Sequence, residues 1–289
     1  MPTVTIEGRK VTVPRDSTVL EAARRARVWI PTLCHNPAIE HTGSCRICMV
    51  EVWTAGAGSA GGAQGSEPGR LVTACNYPVR RDLTVDVDGE RATRIRRGVM
   101  ELMLARSPES EELRQLAARM GVVGTPYPKV TESQRNCILC GLCVSVCEQA
   151  IGASAIGFAG RGVDRAVAAP FRQASETCIA CGACAAVCPV GTIQVRIHAD
   201  SGEAEISPFK SRAKLLVCEE CGVRLVSVPV GEKTTGRVGF DWDEFRALSR
   251  LCPVCRRKHA AANLGLVAAK SGVSLESITL KNRSVGKES

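Results

Sequence analysis

Two runs of four cysteines lie in the middle of the chain, and their spacing is typical of iron–sulfur ligands. CILCGLCVSVCEQA occupies residues 137–150, and CIACGACAAVCPVG begins 41 residues after the start of the first run. In a run of the form C-x-x-C-x-x-C-x-x-x-C, three thiolates bind one 4Fe-4S cluster and the fourth binds a neighbouring cluster. Because the run occurs twice, the sequence predicts two clusters that exchange their fourth ligands.

Each predicted 4Fe-4S site combines three cysteines of one run with the last cysteine of the other. Gly141 and Gly182 follow the second cysteine of each run, where a missing side chain lets backbone N–H groups approach sulfur. Two separate zinc sites are the alternative, but they would not need an exchanged ligand. The first predicted set is Cys137, Cys140, Cys143 and Cys188, and the second is Cys147, Cys178, Cys181 and Cys184.

Two further Cys-x-x-Cys pairs lie towards the C-terminus. VCEECG contains Cys218 and Cys221, and LCPVCR contains Cys252 and Cys255, with 30 residues between the pairs. Four thiolates at this spacing, with the strand-like RLVSVPVG between them, predict a zinc-ribbon-like module. A third 4Fe-4S cluster would use the same four thiolates, so both metals stay open at this point.

The composition limits the class of protein. The chain has 16 cysteines in 289 residues, and its first residues, MPTVTIEGRK, contain no apolar signal stretch. No run approaches the roughly 18 apolar residues of a membrane span. We therefore expect a cytoplasmic protein without membrane insertion, whose clustered cysteines bind metal rather than form disulfides. The formal net charge of +9 falls to about +1 if four metal sites contribute about −2 each, so it does not indicate a nucleic-acid partner.

The elements around the cysteines predict an α+β, multidomain chain. Residues 1–88 are expected to form two strands that turn at Gly8, a helix capped by Ser17, a cysteine loop and further strands. This is the order of elements in a β-grasp domain.

A short helical linker is predicted at residues 89–125, with a second helix that starts at Ser107-Pro108 and stops at Gly121. The remaining predicted modules are a two-cluster 4Fe-4S domain of the bacterial ferredoxin type at 126–200, the four-cysteine, zinc-ribbon-like module at 201–262 and a tail at 263–289.

Roughly residues 1–200 resemble a family of electron-transfer subunits. The doubled run and its connecting segment AIGFAGRGVDRAV resemble the two-cluster ferredoxin domain of the large iron–sulfur subunit of respiratory complex I, of the small diaphorase subunit of NAD-linked hydrogenases and of iron-only hydrogenases. WIPTLCHNPAIEHTGSCRICMVEV, followed by RLVTACNYPV, resembles the 2Fe-2S domain of the same proteins. The resemblance implies a 2Fe-2S cluster bound by Cys34, Cys45, Cys48 and Cys75.

The chain also departs from this family in two places. Residues 76–136 contain neither cysteine nor histidine, so the family's additional cluster, bound by one histidine and three cysteines, is expected to be absent. A glycine-rich insertion at 54–69 contains a G-x-G-x-x-G match, but no helix pattern follows it, so we expect a flexible hairpin rather than a dinucleotide site. His35 alone does not meet the two-histidine requirement of a Rieske cluster.

The expected function is that of an electron-transfer subunit, because no catalytic constellation accompanies the metal sites. By resemblance, it passes single electrons between a flavin/NAD(P)-binding subunit and a low-potential catalytic subunit, such as a hydrogenase or formate dehydrogenase, with electron bifurcation as an option. The expected cofactors are one 2Fe-2S cluster, two 4Fe-4S clusters and one Zn(II). The alternatives are a free-standing polyferredoxin-type carrier and a zinc-ribbon nucleic-acid-binding protein with structural clusters.

Overall fold

The chain forms two compact units. The computed structural model describes residues 1–40, 43–54, 68–130 and 136–271, without the side chains of 264–271. Most of the predicted insertion and nearly all of the predicted tail lie outside the residues whose side chains the structure describes. No helix in the described part combines the length and the apolar character needed to cross a membrane. The first unit comprises Met1–His198 and Ala204–Arg212, and the second comprises Ala199–Glu203 and the chain from Ala213 onward.

Five strands form the N-terminal sheet: β1 (Thr3–Ile6), β2 (Arg9–Thr12), β3 (Met49–Thr54), β4 (Arg70–Thr73) and β5 (Leu83–Asp86). Their order across the sheet is β2–β1–β5–β3–β4. The hairpin of β1 and β2 turns at Gly8, where a φ of +75° suits glycine. β5 pairs parallel with β1, with Val4 opposite Leu83, and antiparallel with β3. The cysteine loop leads directly into β3, which lies between β5 and the edge strand β4.

Helix α1 (Val19–Arg25) shares the apolar core of the sheet, but its cap differs from the predicted Ser17. The cap is Thr18, whose hydroxyl accepts from the Glu21 N–H at 3.2 Å. The Glu21 carboxylate accepts from the Thr18 N–H at 2.8 Å. This reciprocal pair requires a glutamate three residues after the cap, which selects Thr18 over its neighbour.

The linker consists of two helices, α2 (Glu90–Arg106) and α3 (Glu111–Arg119). α3 begins later than the predicted Ser107-Pro108, because Ser110 caps it and accepts from the Leu113 N–H at 3.4 Å. Buried side chains from both helices, including Met100 and Leu113, pack in one apolar core with both neighbouring cysteine regions. The linker thereby joins the N-terminal domain to the doubled motif.

The doubled motif is built from short elements. Helices α4 (Leu142–Ser145) and α5 (Ala183–Ala186) follow Gly141 and Gly182, whose φ angles are +82° and +75°. A π-helical turn continues α4 over Val146–Ile151. The strands of this region are β6 (Gly157–Ala159), β7 (Ala166–Ala168), β8 (Gln194–His198) and β9 (Glu203–Ser207).

The C-terminal elements are β10 (Ser211–Val217), β11 (Arg224–Ser227), α6 (Val228–Val238), α7 (Trp242–Leu248) and α8 (Pro253–Ser271). A four-stranded sheet has the order β11–β10–β9–β8. The strand predicted over RLVSVPVG ends at Ser227, because Pro229 lies in the first turn of α6, where its missing N–H is tolerated. The second cysteine pair lies at the start of α8: Cys252 immediately precedes this helix, and Cys255 lies in its first turn.

We expect the core around the linker to be sensitive to truncation of Met100, whose side chain is fully buried. Met100→Ala should lower the free energy of unfolding by about 2–5 kcal/mol, because it leaves a cavity between helices and cysteine loops. Leu102→Ala is the matched control on the same helix, since Leu102 is 53% exposed. Anaerobic guanidinium unfolding measures both variants, and equal losses would contradict the position of Met100 in this core.

Candidate metal centres

The N-terminal site brings together the four cysteines implied by resemblance, and all four are buried. Cys34 and Cys45 lie in the loop before β3, Cys48 lies next to that strand, and Cys75 follows β4. The Cys45 N–H donates to the Cys34 Sγ at 3.4 Å. Hydrogen bonds from the thiols of Cys45 and Cys75 are the main causes that lower the pKa of Cys34 to about 2. The four sulfur atoms are therefore close enough to share one positively charged core.

The first central site is a cavity of about 560 Å³. Its lining includes three cysteines of the first run together with Cys188 from the second run. The Leu139 N–H donates to the Cys137 Sγ at 3.4 Å. Arg106 of α2 donates to the carbonyl oxygen of Cys137, so the linker helix holds one end of the motif.

The second central site has the reciprocal composition. Cys147 of the first run lines one small cavity with Cys178, Cys181 and Cys184 of the second run. The Ala155 N–H donates to the Cys147 Sγ at 3.3 Å. Burial is the main cause that raises the pKa of Cys184 to about 12. A metal centre in this cavity would have to displace a proton from this thiol.

The three sites follow one another within the first unit. Burial raises the pKa of Cys140 to about 12, and the charge of Cys34 in the N-terminal site adds to this effect. Burial likewise raises the pKa of Cys143, with a contribution from Cys184 of the second central site. The Glu40 N–H also donates to the Gln149 Oε1 at 2.8 Å, which ties the N-terminal cysteine loop to the first run. The first central site is therefore the neighbour of both others.

The fourth cysteine set lies in the second unit. The Sγ atoms of Cys218, Cys221, Cys252 and Cys255 all lie within 4.8 Å of one another. Among the residues that the structure describes, no other set of three or more cysteine, histidine or carboxylate groups is packed this closely. The first pair lies on the turn between β10 and β11, and Cys255 lies in the first turn of α8. These four sulfurs are therefore close enough to bind one metal centre.

Backbone donors prepare this site for anionic sulfur. Hydrogen bonds from the backbone N–H groups of Cys221 and Cys252 are the main causes that lower the pKa of Cys218 to about 6. The Cys252 N–H donates to the Cys218 Sγ at 3.2 Å. Sequence reasoning did not anticipate that His259, one turn after Cys255, contacts Glu220 between the first two cysteines, with 2.8 Å between its Nε2 and the carboxylate. The i, i+4 spacing from Cys255 was the available signal.

Two known domains cover the sites of the first unit. Residues 1–90 match the 2Fe-2S iron-sulfur cluster binding domain, and residues 136–192 match the 4Fe-4S dicluster domain. The chain therefore contains both predicted iron–sulfur domains. Both matched ranges end before the fourth cysteine set, in the second unit.

Several redox proteins are related to this chain. It is 32% identical over 184 residues to the NADPH-Fe(3+) oxidoreductase subunit alpha of Geobacter sulfurreducens, and the aligned region covers 56% of this chain and 20% of that protein. It is 30% identical over 185 residues to the mitochondrial NADH-ubiquinone oxidoreductase 78 kDa subunit of Candida albicans, covering 56% and 24%. It is 30% identical over 198 residues to the NADP-reducing hydrogenase subunit HndD of Solidesulfovibrio fructosivorans, covering 59% and 32%.

One chain in the crystal structure of an NAD+-reducing [NiFe]-hydrogenase in the H2-reduced state is 29% identical to this chain. The superposition covers 58% of this chain and 74% of that chain, with a TM-score of 0.48. The chain spans between 20% and 32% of the length of the three curated relatives above. The predicted relationship to subunits of complex I and of NAD(P)-linked hydrogenases is confirmed.

The glycine before α5 should be intolerant of a side chain. A Cβ atom at Gly182 would lie 3.1 Å from the Val195 Cγ2, and its φ is +75°. Gly182→Ala should therefore lower the free energy of unfolding by about 1–2 kcal/mol. Gly98→Ala, in open space on α2, should instead raise it by about 0.5–1 kcal/mol. Anaerobic guanidinium unfolding compares them, and equal signs would contradict the backbone geometry described for Gly182.

Proposed function

We propose that this chain is the iron–sulfur electron-transfer subunit of a multisubunit NAD(P)-linked oxidoreductase. The observation that carries the proposal is the order of the sites in the first unit, where one central site neighbours both the N-terminal site and the second central site. When bound, iron–sulfur clusters accept and release single electrons. The chain's own residues hold the thiolates and direct backbone N–H donors at sulfur.

The ligand sets follow the sequence prediction. A 2Fe-2S cluster is bound by Cys34, Cys45, Cys48 and Cys75, and the 4Fe-4S ligands are exchanged through Cys188 and Cys147. The donor chemistry supports this assignment, because each set offers four thiols and the two central cavities each combine both runs. N–H donors at Cys34, Cys137 and Cys147 would stabilise negative charge on the ligand sulfurs.

The family's additional histidine-bound cluster is absent from this proposal. The linker has no cysteine or histidine, and it packs Met100 and Leu113 against the cysteine regions on either side. This apolar packing supports direct exchange between the N-terminal site and the first central site, since Cys34 and Cys140 belong to the same buried cluster.

We further propose that the fourth cysteine set binds Zn(II) rather than a third cluster. A tetrahedral zinc site with Zn–S bonds of about 2.3 Å places its sulfurs about 3.8 Å apart. The Sγ atoms of Cys221 and Cys252 are 3.8 Å apart. A 4Fe-4S cluster binds each thiolate to a different iron and so keeps the sulfurs further apart. In this site Cys255 is presented by the first turn of α8.

The partners in this proposal are a flavoprotein subunit that binds NAD(P) and a catalytic redox subunit. The relatives support this proposal, because they include subunits of an NADPH-Fe(3+) oxidoreductase and of an NADP-reducing hydrogenase. Their matched regions are only part of longer chains, so substrate chemistry would lie outside the region shared with this chain.

The decisive experiment combines metal analysis with EPR spectroscopy of anaerobically purified, dithionite-reduced protein. We expect about ten iron atoms and one zinc per chain, with one 2Fe-2S signal and interacting 4Fe-4S signals. About fourteen iron atoms without zinc would overturn the zinc proposal alone. Failure of the reduced protein to exchange electrons with a flavoprotein NAD(P) reductase, or with methyl viologen, would contradict electron transfer itself.

Exchange of ligands between the two runs makes a specific prediction for double variants. Cys188→Ser and Cys137→Ser should each remove about four iron atoms, and the double variant should remove no more than either alone. Cys188→Ser combined with Cys184→Ser should remove about eight, although both cysteines lie in the second run. Colorimetric iron and sulfide assays measure these losses, and the opposite pattern would mean that each run binds its own cluster.

A further inference from the structure

The hairpin over residues 157–172 forms one wall of the first central site. Its residues from Val163 to Val167, together with Arg172, line the same cavity as the four cysteines of that site. Phe158 lies against the turn of the first run, because a Cβ atom added at Gly141 would be 3.5 Å from its ring. The hairpin therefore packs against the ligand turn and lines the cavity of the first central site.

Three large apolar side chains of this hairpin are exposed to solvent. Phe158 is 41% exposed, Val163 is 76% exposed and Phe171 is 93% exposed. Phe171 and Arg172 also have φ angles of +54° and +58°, a region that residues other than glycine rarely adopt. Turn hydrogen bonds hold this conformation, with the Arg172 N–H donating to the Ala169 carbonyl at 2.9 Å. The backbone therefore presents an aromatic ring to solvent at the cost of strain.

The charged residues of the hairpin are mostly basic. Arg161, Arg165 and Arg172 are exposed, and Asp164 is the one acidic residue of this segment. Arg165 stacks on Phe158 with its guanidinium carbon 4.4 Å from the ring centroid. Exposed apolar residues with a rim of like charge are typical of surfaces that dock a protein of opposite charge.

We propose that this hairpin is the docking surface for a redox partner with an acidic surface around an apolar centre, through which one electron enters or leaves the first central site. The proposal rests on the electron-transfer function above. A second copy of this chain is a poorer occupant, because a two-fold contact would bring the same arginines together.

Cytochrome b5, an acidic one-electron haem protein, is the probe. One electron leaves the reduced iron–sulfur protein and converts the ferric haem to the ferrous state, without a proton or a bond change. Anaerobic stopped-flow absorbance follows this step at ionic strengths of about 0.01 M and about 1 M. Isothermal titration of the two oxidised proteins measures docking when no electron can flow.

Arg161→Glu should slow reduction of cytochrome b5 and weaken its binding by about tenfold at low ionic strength, with little difference at high ionic strength. Phe171→Asn should lower both the rate of cytochrome b5 reduction and the affinity for cytochrome b5 by about fivefold at either ionic strength. Asparagine tolerates the left-handed backbone, but the substitution removes the aromatic ring. Two variants are the controls. Lys10→Glu makes the same charge change on exposed β2, and Val123→Asn changes an exposed site outside the hairpin. Each should change the rate and the affinity by less than about twofold.

The outcomes separate this proposal from the proposed function. Oxidation of reduced methyl viologen by all oxidised variants at the wild-type rate, together with hairpin-specific losses for cytochrome b5, would support the docking surface. Equal effects of Arg161→Glu and Lys10→Glu, or no measurable binding of cytochrome b5 by the wild type, would overturn it. Dimerisation that Arg161→Glu strengthens would assign the hairpin to a second copy instead. Failure of the oxidised wild type to accept electrons from reduced methyl viologen would contradict the electron-transfer function itself.

Discussion

The unfavourable burial of thiolates is the constraint on which the rest of this structure depends. Burial raises the pKa of Cys140 and Cys184 to about 12, so the metal-free chain keeps these groups as neutral thiols. A buried thiolate needs a compensating cation or hydrogen-bond donors, and a metal core supplies the first. The central motif has few long elements of its own, so its stability depends on filling these cavities as much as on apolar packing.

The backbone around the cysteines provides the second kind of compensation. Left-handed residues recur at equivalent places in both runs, at Leu139 and Gly141 and at Ala180 and Gly182. These turns direct N–H groups towards sulfur in the first run, as at Cys137. In the second unit, a hairpin turn and a helix start perform the same task for four sulfurs held much closer together. Similar donors thus serve cysteine sets of two different spacings.

Apolar packing in the linker gives the sites their order. The buried faces of α2 and α3 contact cysteine regions on both sides, and the Glu40–Gln149 hydrogen bond joins those regions directly. A rigid spacer of this kind holds two redox sites at a constant separation without a relay between them. The proposed route of electrons therefore depends on residues such as Met100 that bind no metal.

The sequence by itself determined the donor chemistry, because residue type and short spacing define which sulfurs a local turn can present. It also predicted the exchange of Cys188, since a repeated run implies a reciprocal fourth ligand. Tertiary structure alone decided the order of the three sites and the basic, aromatic hairpin beside the first central one. It also placed Cys255 on a helix. These features depend on packing between residues far apart in the chain, which spacing and periodicity do not encode.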